Sequence, residues 1–130
     1  MFMNPTEINL HKKSNTLEVT FKDGTSGTLS AEFLRVNSPS AEVQGHGNPI
    51  LQTGKRHVRL TGLEPIGNYA VRLIFDDGHD SGLFHWETLY TFIRDHDALW
   101  QDYLDRLQAA GASRDPVTGG GAVGFDPGSA

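Results

Sequence analysis

Two Asp-Gly pairs, Asp23-Gly24 and Asp77-Gly78, constrain the fold of this chain more than any other feature. Each pair follows a segment in which apolar and polar residues alternate, a period typical of a strand with one buried face. The apolar positions are Leu17, Val19 and Phe21 before the first pair, and Tyr69, Val71, Leu73 and Phe75 before the second. Because glycine adopts the positive φ that tight turns require, both segments predict β-hairpins.

The segments around the two turns also match each other. Phe21-Lys22-Asp23-Gly24 aligns with Phe75-Asp76-Asp77-Gly78, and Ser26-Gly27 aligns with Ser81-Gly82 after one inserted residue. True repetition and convergence on a common hairpin signal both explain the match. Either origin indicates an α+β fold class, with antiparallel β-hairpins in two related strand–turn–strand–helix units and the helices packed on one side.

Helices are predicted after each hairpin and near the end of the folded region. Ser30 is a suitable N-cap for a short first helix, and residues 86–93 have the apolar spacing of a second. Asp97 is a candidate cap for the last helix, and Gly111 is a candidate stop signal for it. Further short strands are predicted at residues 6–10, 57–60 and 63–66.

Length and composition favour a single domain. The chain has 130 residues, which suits one domain at residues 5–110, and the Gly- and Pro-rich residues 111–130 predict a disordered tail. No cysteine is present, which excludes disulfides and thiolate ligands. The formal net charge of −5 disfavours a nucleic-acid partner. Because neither a signal peptide nor an apolar run of membrane-spanning length is recognisable, we expect a cytoplasmic protein without a membrane partner.

We expect no enzyme activity, because no group of residues forms a recognisable active site. The six histidines lack the spacing of a helical metal-binding pair. A nucleophile at Ser38 or Ser40 would need a positioned base and an oxyanion hole, which the sequence does not indicate. Gly45-His46-Gly47 lacks the Lys-Ser/Thr end of a phosphate-binding loop.

Two blocks of sequence carry a family resemblance. The first block, the motif loop, comprises Arg35, Ser38, Pro39, Ser40, Glu42, Gly45, His46 and Gly47. The second block, the second motif, comprises Asp77, Gly78, His79, Ser81, Gly82 and Trp86. Together they resemble a signature of a bacterial family of small uncharacterised proteins that is similar to the N-terminal domain of gamma-butyrobetaine hydroxylase.

The resemblance implies an accessory module and a zinc site that this chain does not retain in full. In the hydroxylase the domain resembles a zinc-binding accessory module, and the iron and 2-oxoglutarate chemistry belongs to a separate catalytic domain. A similar module is appended to ATPases of iron–sulfur cluster assembly. The three cysteines and one histidine of the related zinc site correspond to Ser38, Ser40, Val43 and His79. Only the histidine is retained, so we expect no tight structural zinc and no cofactor, although zinc or iron could bind without the cysteine ligands.

Two functions follow from these expectations. The first is a non-catalytic accessory or binding module, linked to metal or iron–sulfur cluster metabolism, with a protein partner of unknown identity. Its motif loop would replace metal coordination by hydrogen bonds from Ser38, Ser40 and Glu42 to the backbone or to His79. The alternative is a weak metal-binding protein that holds iron or zinc through His79, His46 and Glu42.

Overall fold

The computed structural model describes residues 4–45 and 49–116, and for Ala41 and Glu42 it describes the backbone only. Two three-stranded antiparallel sheets follow one another along the chain. In order across each sheet, the strands are β1 (Pro5–His11), β2 (Thr16–Phe21) and β3 (Ser26–Ser30), then β4 (Leu60–Ile66), β5 (Ala70–Phe75) and β6 (Leu83–His85). The helices are α1 (Ala31–Val36), α2 (Ala41–Gln44), α3 (Trp86–Arg94) and α4 (His96–Ala109). The α+β class is therefore confirmed.

The two sheets are built on the same plan. In the turn between β2 and β3, the Gly24 N–H donates to the Phe21 carbonyl at 3.0 Å. In the turn between β5 and β6, the Gly78 N–H donates to the Phe75 carbonyl at 3.3 Å. Both glycines have a positive φ, 92° and 89°, which strains any other residue. Since α1 directly follows β3 and α3 directly follows β6, the match in sequence is also a match in structure.

A core cluster combines buried residues of both sheets with α1 and α3. Six of the apolar positions predicted from the alternation are buried: Leu17, Val19, Phe21, Val71, Leu73 and Phe75. The prediction is wrong for Tyr69, which precedes β5 and is 48% exposed. Phe33 of α1 packs edge to face against Phe92 of α3, with 5.4 Å between the ring centroids. A second cluster around Tyr103 and Leu107 holds α4 against the end of α1. The two units therefore share apolar contacts and do not form separate cores.

Two local predictions differ from the structure. The sequence predicts separate strands at residues 57–60 and 63–66, but β4 is one strand over Leu60–Ile66. Gly62 and Pro65 break the sequence pattern, and both are tolerated because β4 lies at the edge of its sheet. Asp95, not Asp97, precedes α4, and Asp97 lies in the first turn, where the helix dipole favours an anion.

Within the described ranges, no helix combines the length and apolarity required to cross a membrane.

The folded part of the chain extends beyond residue 110. The Gly54 N–H donates to the Ser113 carbonyl at 3.0 Å, and the Arg56 N–H donates to the Arg114 carbonyl at 2.9 Å. The Arg114 guanidinium binds both carboxylate oxygens of buried Glu32, at 2.8 and 2.7 Å. The predicted boundary between residues 110 and 111 is therefore too early, because these contacts fix the segment that follows α4. The rest of the predicted tail, residues 117–130, lies outside the described residues.

Candidate functional site

The candidate site is centred on Ser38, Ser40 and His79, here called the serine–histidine cluster. The two serines follow α1, whereas His79 follows the Asp-Gly turn of the second unit. Oγ of Ser38 lies 2.9 Å from Nε2 of His79, and Oγ of Ser40 lies 3.3 Å from the same nitrogen. The exposed fractions of Ser38, Ser40 and His79 are 0%, 7% and 4%. The expected hydrogen bonds between these serines and His79 are thus present, in a buried setting where losing them costs most.

The second turn fixes the backbone of the histidine. The Phe75 N–H donates to the His79 carbonyl at 3.1 Å, and the His79 N–H donates to Oδ1 of Asp77 at 3.1 Å. The Phe75 ring lies 5.9 Å from the imidazole, centroid to centroid. The end of β5 and the Asp77-Gly78 turn therefore hold His79 in place independently of its contacts with the motif loop.

Asp77 supplies the fixed negative charge of the site. Its Oδ2 accepts hydrogen bonds from Nε of Arg35 and from Nζ of Lys55, each at 2.8 Å. Burial by itself raises the pKa of the Asp77 carboxyl, but the bonds from Lys55, the His79 N–H and Arg35 outweigh burial and lower the pKa to about 2. At neutral pH this carboxylate is an ionised link between α1 and the second turn, and it cannot act as a general acid.

Gly82 provides the space that the Ser38 hydroxyl occupies. A Cβ atom added at Gly82 would lie 2.5 Å from Oγ of Ser38 and 3.0 Å from the Phe84 ring. Gly27, the equivalent glycine of the first unit, is covered by Ile93, whose Cγ2 would lie 2.8 Å from an added Cβ. In both aligned Ser-Gly pairs, the glycine is therefore needed because a residue of the other unit approaches closely.

The first unit has Thr25 at the place of His79. Oγ1 of Thr25 donates to the Tyr90 hydroxyl at 3.2 Å, and that hydroxyl donates to Oδ2 of Asp23 at 2.7 Å. The hydrogen bond from Tyr90 is the main reason that the pKa of the Asp23 carboxyl is lowered. A buried imidazole therefore distinguishes the second turn from the first, and the candidate site lies where the two units differ.

The other described motif residues lie in different parts of the fold. Trp86 lies in the core, and its indole N–H donates at 2.8 Å to the carbonyl of Asn68, in the turn between β4 and β5. Pro39 and Gly45 are half-buried, and Gly45 has a φ of 55°. Ser81 is exposed. Among the described side chains, the serine–histidine cluster and Asp77 carry the polar chemistry of the site.

Gln52 and Lys55 belong to the site although the sequence does not single them out. Oε1 of Gln52 accepts a hydrogen bond from Nη1 of Arg35 at 3.0 Å, and the Gln52 carbonyl accepts one from the Tyr103 hydroxyl at 2.7 Å. These bonds connect the end of α1 to α4. Both residues lie in an irregular segment, where no periodic pattern marks a residue as buried.

The donors of the serine–histidine cluster do not suit a structural zinc or iron site. Such sites use cysteine, histidine and carboxylate ligands, whereas here two hydroxyls meet one imidazole and Val43 is apolar and buried. Across residues 4–45 and 49–116, no group of three or more His, Cys, Asp or Glu side chains could hold a metal ion. His46, Gly47 and the Glu42 side chain lie outside the described residues, so a metal set of His79, His46 and Glu42 stays a prediction.

An open cleft of about 380 Å³ lies beside the motif loop, between α2 and α4. Its walls include Val36, Val43, Gln44, Ile50, Asp102 and Arg106. Ile50 is 53% exposed, and Arg106 pairs with Asp102 along α4 at 3.0 Å. Apolar walls with a few polar groups are typical of surfaces that bind a ligand or a polypeptide segment.

Comparison with known proteins connects both motifs to one family. The family described as gamma-butyrobetaine hydroxylase-like, N-terminal, matches residues 8–90. That range contains the motif loop and the second motif. A comparison with curated proteins gave no match.

Solved structures share this fold over most of the chain. A protein structure determined in solution by NMR is 54% identical, with a TM-score of 0.80, and the alignment covers 95% of this chain and 100% of the other. A second NMR structure is 49% identical, with a TM-score of 0.77 and coverage of 97% and 95%. The crystal structure of a DUF971-family protein of unknown function from Acidithiobacillus ferrooxidans ATCC 23270 is 39% identical, with a TM-score of 0.60 and coverage of 69% and 92%. The chain therefore belongs to the gamma-butyrobetaine hydroxylase-like N-terminal family.

Proposed function

We propose that the protein is a non-catalytic binding module that serves as an accessory or adaptor in metal or iron–sulfur cluster metabolism. The observation that carries the proposal is the burial of the serine–histidine cluster. Two serine hydroxyls engage Nε2 of His79, at 2.9 and 3.3 Å, which leaves this nitrogen without a free approach for a substrate. The cluster then holds the motif loop against the second turn, and the surface around it is what a partner meets.

The family supports the accessory part of the proposal. In the hydroxylase that the family resembles, this domain is separate from the catalytic domain. The link to iron–sulfur clusters rests on the resemblance to modules appended to cluster-assembly ATPases. In both the hydroxylase and the cluster-assembly ATPases, such a domain works beside another protein domain. We therefore expect the ligand of this chain to be a protein.

A hydrolase in which Ser38 is the nucleophile and His79 its base agrees less well with the geometry than a binding module does. A nucleophile needs an approach path for the acyl group and donors for the developing oxyanion. The Ser38 residue is 0% exposed, and a Cβ atom at Gly82 would already lie 2.5 Å from its Oγ. A substrate carbonyl has no place beside this hydroxyl.

The test is capture of a partner by the full chain from a cell lysate, with and without a chelator, followed by identification of the bound protein. We expect one defined partner that is retained in chelator. Capture that disappears with the chelator, or no reproducible partner, would count against the proposal. A variant in which Ser38→Ala and Ser40→Ala are combined should capture less partner, because the motif loop loses its anchor on His79.

The alternative of weak metal binding has its own readout. Titration with zinc or iron would then shift the amide NMR signals of His79 and His46, and the shifts would be absent in His79→Ala. An adaptor without a metal site shows neither the shifts nor a dependence of partner capture on metal.

A further inference from the structure

An exposed basic patch forms where the turn between β1 and β2 meets the segment before β4. Nη2 of Arg59 donates to the Lys12 carbonyl at 2.6 Å. The Asn15 side chain donates to the Val58 carbonyl at 2.8 Å and accepts a hydrogen bond from the N–H of Leu60, the first residue of β4, at 2.9 Å. These contacts bring together Lys12, Lys13 and Arg59, three exposed residues that form the basic patch.

The basic patch differs from the rest of the surface in how its charges are paired. Among the described residues, seven of the eleven lysines and arginines pair with a carboxylate: Arg35, Lys55, Arg56, Arg72, Arg94, Arg106 and Arg114. Of the four that do not, three form the patch. The fourth, Lys22, lies at the opposite end of β2. The unpaired cations are therefore concentrated at one place on an acidic protein.

One carboxylate of the second turn, Asp76, contacts the patch. Oδ1 of Asp76 accepts the backbone N–H of Arg59 at 3.0 Å. Asp77 is neutralised by Arg35 and Lys55. On the adjoining strand end, His11 pairs with Glu18 at 2.9 Å. Even with the carboxylates of Asp76 and Glu18 both counted against its three cations, the patch retains a net positive charge that attracts anions.

We propose that the basic patch is the docking surface for a short acidic segment of a partner protein. This inference rests on the proposed binding function and specifies the chemistry of the partner. With 16 acidic and 11 basic residues in the chain, a long polyanion such as nucleic acid meets repulsion outside the patch, whereas a segment with two or three carboxylates does not. The patch lies on an exposed turn and not in a cavity, which suits a polypeptide better than a small anion.

The experiment measures binding of a short fluorescent peptide, rich in Glu and Asp and with capped ends, to the full chain by anisotropy. We expect saturable binding that weakens as salt rises and that is weakened at least about tenfold by K12E/K13E. Both substitutions change exposed side chains, and the Lys12 carbonyl that binds Arg59 is kept. The control is Lys22→Glu, which makes one such Lys-to-Glu change outside the patch, on a lysine that pairs with no described carboxylate, and should leave affinity within about twofold. The single variants K12E and K13E match its charge change, and each should weaken binding more than Lys22→Glu does.

The outcomes separate this inference from the proposed function. No binding, equal loss in Lys22→Glu and K12E/K13E, or tighter binding of an oligothymidylate of equal charge would overturn the docking surface. If wild type and K12E/K13E capture the same lysate partner equally, the surface is overturned while the binding function stands. If the acidic peptide binds as expected but neither protein captures a partner, the proposed function fails and the patch remains an acidic-peptide site.

Discussion

Arg35 and Tyr90 occupy the same position in the two structural units, the fifth residue of α1 and of α3, and each binds the turn aspartate of the other unit. Arg35 donates to Asp77 at 2.8 Å, and Tyr90 donates to Asp23 at 2.7 Å. Three residues further along the chain, Ser38 and Ile93 cover the glycines of the opposite units in the same reciprocal way. Each unit thus stabilises the turn of the other, and we expect the domain to unfold in one cooperative step.

Replacing Asp77 by Asn should make stability less dependent on acid pH. The folded-state pKa of about 2 lies below the ordinary value of 3.8, so the unfolded chain binds the proton more readily. The stabilisation by this carboxylate is complete above about pH 4 and disappears as the pH falls through about 2, with a total of about 1–2 kcal/mol after allowance for solvent screening. Urea unfolding of wild type and Asp77→Asn from pH 5 to pH 2 should show a gap that closes with acid.

Asp76→Asn is the matched control for this pH profile. The substitution removes the charge of Asp76, which forms no ion pair with Arg35 or Lys55. The amide oxygen of the new asparagine can still accept the hydrogen bond from the Arg59 N–H. We expect Asp76→Asn to keep the acid dependence of the wild type, because the Asp77 carboxylate and its partners are unchanged. A gap of equal size and shape in both variants would contradict the assigned role of Asp77.

Gly82→Ala should disturb the serine–histidine cluster. The new methyl group would lie 2.5 Å from Oγ of Ser38, so the loop must move, at a cost of about 1–3 kcal/mol. Gly62→Ala is the control, because its Cβ would lie 3.5 Å from the nearest side-chain atom, an ordinary contact. Amide NMR should show shifts at Ser38 and His79 in the first variant and not in the second. The cost of Gly82→Ala should also shrink when Ser38→Ala removes the hydroxyl, and additive costs would argue against the contact.

Arg114→Ala should destabilise the fold although Arg114 lies in the sequence predicted as tail. The substitution leaves buried Glu32 without its two charge-assisted hydrogen bonds, and because the pair is partly exposed we expect a loss of about 2–3 kcal/mol. Arg106→Ala, which breaks an exposed pair within α4, should cost less than about 0.5 kcal/mol. Chemical denaturation measures both, and equal losses would show that Arg114 is not an anchor.

His85→Ser should stabilise the protein. His85 precedes α3 with φ −68° and ψ 156°, almost the geometry of Ser30 before α1, but makes no side-chain cap bond. A serine there can accept a backbone N–H of the first turn, as Ser30 does from Phe33 at 3.0 Å. We expect a gain of about 0.5–1 kcal/mol, with a loss of about 1 kcal/mol for Ser30→Ala. A lower free energy of unfolding for His85→Ser would contradict the equivalence of the two helix starts.

Local patterns were sufficient to predict the two hairpins and the helices that follow them. Alternation identified the buried faces of β2 and β5, and the Asp-Gly pairs identified the turns. The reciprocal contacts could not be predicted in this way, because Arg35 and Asp77 are 42 residues apart and Tyr90 and Asp23 are 67 apart. Such pairs depend on how the units pack, which no local period records.

The candidate site was predictable only through the family resemblance. Histidine spacing gave no reason to join Ser38 to His79, whereas the resemblance placed both at positions of one ligand set. The anchor formed by Arg114 and Glu32 was missed because a Gly- and Pro-rich composition is typical of disorder and obscures a single ordered arginine. Lys55 lies in an irregular segment, where no periodic pattern predicts its contact with Asp77.

Metal content and its effect on stability test most directly whether hydrogen bonds, and not coordination, hold the serine–histidine cluster. The full chain, purified without added metal, would be assayed for zinc and iron, and its thermal unfolding would be compared with and without a strong chelator. We expect neither metal at stoichiometric level and the same Tm in both conditions. One zinc or iron per chain, removed by the chelator together with the fold, would contradict the interpretation.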